Sequence, residues 1–66
     1  MKVHLLTPEQ ADSLIGVEFI PDNLFNPLMD ADGNWIISTQ EVEQSTIQWV
    51  KDLPLIEYKP ITEQTL

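Results

Sequence analysis

Sixty-six residues carry eleven Asp and Glu against three lysines, with no arginine and no cysteine, for a net charge of −8. A chain of this length forms one domain that hides only about 60% of its unfolded surface. The missing cysteine excludes disulfide staples, thiolate metal sites and thiol catalysis, and the missing arginine removes the forked contacts on which phosphate and guanine recognition depend. Apolar residues nonetheless make up 42%, too many for the low-hydrophobicity composition of a disordered chain, so a folded domain is expected over residues 1–61.

In chain order, residues 2–6 read as a strand with Val3 and Leu5 on one side and Lys2, His4 and Leu6 on the other. Thr7-Pro8-Glu9-Gln10 is a helix start: threonine as cap, proline at the first helical position, glutamine where a capping box wants an amide. The inward face of this short helix would be Ala11, Leu14 and Ile15, and Gly16 supplies the left-handed residue that ends it. Residues 17–20 form a second strand, stopped by Pro21-Asp22-Asn23.

A third strand over residues 24–29 and a fourth over 35–38 flank Asp30-Ala31-Asp32-Gly33-Asn34. Asp30 can accept from the backbone ahead of it and Gly33 can take positive φ, as a hairpin turn requires. Pro27 cannot donate to a ladder, so the first arm is expected at a sheet edge or with a bulge. Ser38-Thr39-Gln40-Glu41 is a second capping box, opening a helix that reaches Leu53. At 100° per residue, Val42, Thr46, Trp49, Val50 and Leu53 share one stripe with Ile47 on its flank, and Lys51 suits the helix dipole. Pro54 and Pro60 bound a last strand over 55–59, and residues 62–66 are expected as a flexible tail. The predicted class is α+β, in the order β-α-β-β-β-α-β, with a mainly antiparallel sheet and both helices on one face.

The chemistry of the motifs is sparse. Asp30-Ala31-Asp32-Gly33-Asn34 has the acid spacing of the centre of a calcium loop. If Gly33 were its glycine, however, the first ligand would fall on Leu28 and the bidentate glutamate on Thr39, so a hairpin turn is the stronger reading. His4 is the single histidine, and without cysteine a zinc site around it would need carboxylates brought from elsewhere. No serine lies on a glycine-flanked elbow, and the chain offers little room for a sugar cleft between two acids. No catalytic residue, metal site or cofactor is assigned, and the protein is expected not to be an enzyme.

What remains is surface. Trp35-Ile36-Ile37 cannot all point inward from a one-sided sheet, because successive strand residues alternate faces. Phe25, Leu28, Met29, Trp35 and Ile36 form an expected apolar patch, and Ile56 and Tyr58 face one way on the last strand, which offers an edge for β-augmentation. Phe25, Trp35, Ile36 and Tyr58 are therefore the expected contacts with a protein partner, a second copy in a homodimer, or both. The acids are spread through the chain and not gathered in a tail. They repel nucleic acid and anionic lipid, and they leave open an alternative in which the chain mimics nucleic-acid phosphates on a basic enzyme groove. The apolar run at residues 3–6 is shorter than a secretory leader's, and no stretch approaches the ~20 apolar residues of a membrane span, so a cytoplasmic location is expected.

The strings FNPLMDADGNWIIS (residues 25–38) and WVKDLPLIEYKP (residues 49–60) resemble short proteins encoded by gut Bacteroides-type bacteria and their phages. The resemblance implies no activity and transfers no functional residue. It suggests a phage or mobile-element origin, in which small acidic proteins commonly bind host machinery.

Overall fold

A computed structural model describes residues 1–60, and the expected tail over 62–66 lies outside the described residues. The elements are β1 (Lys2–Leu6), α1 (Pro8–Leu14), β2 (Glu18–Ile20), β3 (Asn23–Leu24), β4 (Leu28–Met29), β5 (Trp35–Ser38), α2 (Thr39–Gln44), α3 (Gln48–Lys51) and β6 (Leu55–Glu57). Four strands form one antiparallel sheet in the order β4-β5-β1-β6, and β2 and β3 form a separate hairpin. The class is α+β.

β1 lies inside the sheet because both its faces are apolar. Its register pairs His4 with Ile37 and Leu6 with Trp35 on one face, and Leu5 with Ile36 and Val3 with Ile56 on the other. The first face meets the helices. Leu6, Ala11, Leu14, Phe25, Ile37, Val42, Val50 and Leu53 make one buried cluster, with Val17, Phe19, Trp35 and Ile47 packed against it. The edge strands are short, and Pro27 precedes one of them, which limits unwanted pairing.

Both capping boxes form. The Thr7 hydroxyl accepts from the Gln10 N–H while the Gln10 side chain accepts from the Thr7 N–H, and Ser38 and Glu41 repeat the exchange at α2. Gly16 and Gly33 take φ of 81° and 82°, as their turns demand. Asp22 also lies at positive φ, 68°, behind Pro21, the pattern of a type II turn between β2 and β3.

Three local expectations are corrected. The helix expected from residue 39 to Leu53 is two helices, because α2 ends at Ser45, whose Oγ accepts from the Ile47 N–H at 3.0 Å and offers the backbone a partner outside the helix. The break leaves Thr46 and Trp49 exposed and buries Ser45 with Val42, Val50 and Leu53. Lys51 then donates to the Val42 and Glu43 carbonyls, filling the C-terminal end of α2 as well as completing α3. The strand expected over 24–29 divides into β3 and β4 around Asn26 and Pro27. Ile15, expected inward, is 67% exposed, because α1 ends at Leu14 and the extended backbone at Ile15 turns its side chain outward.

Candidate binding surface

The four expected contact residues separate by burial. Phe25 is 4% exposed; its ring lies 5.4 Å from that of Phe19, and its N–H donates to the Val17 carbonyl, fixing it inside the core. Ile36 is 3% exposed although it faces away from the helices. Its shield is made of neighbouring side chains: Met1, Val3, Leu28 and Tyr58 line a shallow hollow of about 190 Å³ with it. Neither Phe25 nor Ile36 offers free area to a partner. Trp35 and Tyr58 are half-buried, and they lie in different places.

Trp35 looks toward α1. With Pro27 it forms one wall of a groove of about 530 Å³ whose other wall is a flank of α1, where Pro8 and Ile15 supply apolar surface beside the buried Ala11. Met29, the cross-strand neighbour of Trp35, is 44% exposed beside it. Glu9 and Asp12 complete the lining. They are three residues apart on one helix flank, so their carboxylates are neighbours of like charge. Among the described residues neither has an ion-pair or hydrogen-bond partner for its carboxylate. Sequence reasoning found Trp35 but missed Glu9, Asp12 and Ile15. The available signal was Gly16: a left-handed glycine after a helix places the residue before it at the cap, outside the buried stripe.

The other charged region is closed on itself. The Met1 amino group lies 2.7 Å from Glu57 and Lys2 lies 3.6 Å from it, while Lys59 reaches Asp32 at 2.8 Å. The Ala31 N–H donates to the Lys59 carbonyl, joining the hairpin tip to the segment after β6. Asp30 is buried, and its Oδ1 accepts from the Asp32 and Asn34 N–H groups, both at 2.9 Å. These bonds, the Asn34 N–H foremost, hold its carboxyl below the usual range. The Met1 amino group does the same for Glu57, and Asp32 raises Lys59. The hairpin reading of Asp30-Ala31-Asp32-Gly33-Asn34 thus holds: Asp30 spends its oxygens on the turn, and Gly33 supplies the positive φ. Among the described residues no group of three or more His, Asp or Glu is placed to hold a metal ion.

His4 is buried, and its Nδ1 lies 2.9 Å from the Leu53 carbonyl. A carbonyl only accepts, so Nδ1 carries the proton, and the ring ties β1 to the end of the α3 segment. Among the described residues no helix is long and apolar enough to cross a membrane. Compared with known protein families, with curated proteins and with solved structures, the chain matches none.

Proposed function

We propose that this protein is a non-enzymatic interaction protein that docks another protein through the groove between α1 and the β4–β5 hairpin. The observation that carries the reading is the groove itself, where the exposed Ile15 and the half-buried Trp35 share one concave surface with Pro8 and Pro27 in a chain otherwise rich in charge. Such surfaces have an apolar centre and a polar rim, and a half-buried tryptophan is the residue type most often found to anchor one. Self-association is disfavoured here because each copy carries −8.

Ile15→Glu tests the reading, since Ile15 already faces solvent and its replacement leaves the core intact. Proteins retained from a lysate of the source cells by the wild type and lost by Ile15→Glu, at unchanged melting temperature, support the groove. Identical retained sets contradict it. Phosphate mimicry needs no apolar floor, and it requires binding that disappears as exposed charges are screened at moderate salt. Binding that survives high salt favours the groove.

A further inference from the structure

The groove has an acidic flank as well as an apolar floor. Glu9 and Asp12 are like-charged neighbours on the α1 flank, and among the described residues no cation pairs with either. Lys2 is paired with Glu57, Lys59 with Asp32, and Lys51 is committed to the carbonyls that end α2. A second copy brings the same three committed lysines. Residues 61–66, Ile-Thr-Glu-Gln-Thr-Leu, contain no cation either. A cation on another molecule would complement these two exposed carboxylates, and the half-buried Trp35 ring in the same groove is the aromatic group that attracts a cation most strongly.

We infer that the groove takes a basic, apolar segment of a partner protein, with an arginine or lysine held between Trp35 and the Glu9 and Asp12 carboxylates and an adjacent apolar side chain on Ile15 and Pro27. This rests on the docking role proposed above and names the chemistry of the occupant. Arginine suits the place better than lysine, because its planar guanidinium stacks on the indole while its edge faces the acids. The groove volume of about 530 Å³ lies inside the ~300–1,000 Å³ range of ligand pockets and suits a short segment, not a whole domain face.

The test is a titration of ¹⁵N-labelled full-length protein, at physiological salt, with three capped decapeptides that alternate leucine with arginine, glutamine or glutamate. Shifts at the amides of residues 9–15 and at the Trp35 indole N–H are expected with the arginine peptide. The glutamine peptide should bind about fivefold more weakly, and the glutamate peptide more weakly still. The Glu9→Gln, Asp12→Asn double variant should lose about fivefold in affinity for the arginine peptide and nothing for the glutamine peptide, in line with two exposed ion pairs. Equal affinity of the arginine and glutamine peptides at this groove overturns the cation assignment and leaves the docking surface standing. Arginine-peptide shifts centred on Trp49 or on β6 overturn the assignment. No saturable shift from any peptide overturns both.

Discussion

Two regions of the molecule use their acids in opposite ways. Around β6 and the hairpin tip, Asp30, Asp32 and Glu57 meet backbone N–H groups, lysines and the Met1 amino group, and they tie distant segments together. Along α1, Glu9 and Asp12 meet nothing of opposite charge and border an apolar groove. A net charge of −8 therefore hides two populations. One belongs to the fold, and the other is left without a counter-ion, because three lysines cannot balance eleven acids and all three already have partners.

The largest effect on either region should come from the core they share. Leu14 is 1% exposed beneath α1, and Leu14→Ala should cost about 3 kcal/mol through lost transfer energy and a cavity. For a domain of this size that is a large share of the stability, so the groove and the β6 region should melt together in a circular-dichroism scan. Separate melting would divide the molecule where the structure joins it.

Glu41 sharpens the contrast as an acid with a purely structural role. Its Oε2 accepts from the Asn26 N–H at 2.7 Å, and its Oε1 accepts from the Ser38 N–H and hydroxyl. Glu41→Ala should therefore cost about 2 kcal/mol in urea unfolding, since bonds to a charged acceptor are lost and the β3–β4 link is released from α2. A loss under about 0.5 kcal/mol, the scale of an ordinary surface change, would remove Glu41 from the structural population.

Acid tests the acids that belong to the fold. Asp30 and Glu57 have lowered folded-state pKa values, so their contribution is present above the ordinary carboxylate range and is lost as the pH falls through the folded values. Melting temperature should hold steady from neutral pH to about 5 and decline below about 4. In Asp30→Asn that decline should be shallower, from a lower starting point, because the amide side chain keeps an acceptor but no longer titrates. An unchanged acid limb would mean the Asp30 bonds contribute nothing net.

Much of the local structure was legible in the sequence. The capping boxes at Thr7 and Ser38, the left-handed Gly16 and Gly33, and the Asp30 turn are local chemistry, decided within five residues, and the structure forms them as written. The helix break was harder to read, because the apolar stripe from Val42 to Leu53 fits a continuous helix and the competing Ser45 hydroxyl becomes decisive only once it is buried. Phe25 and Ile36 read as surface in the sequence because strand alternation says which face a residue occupies and not what lies over it. The core cluster covers the first, and Leu28 and Tyr58 help cover the second. The groove was invisible for the same reason: α1 and Pro27 meet only in the folded chain.

The most direct measurement compares two charge-matched double variants by urea unfolding. Glu9→Gln with Asp12→Asn, and Asp30→Asn with Glu57→Gln, each remove two negative charges. The first pair should unfold within about 0.5 kcal/mol of the wild type, as surface substitutions do. The second should be clearly less stable. Equal shifts in both would mean that net charge alone governs stability and that the two sets of acids do not differ.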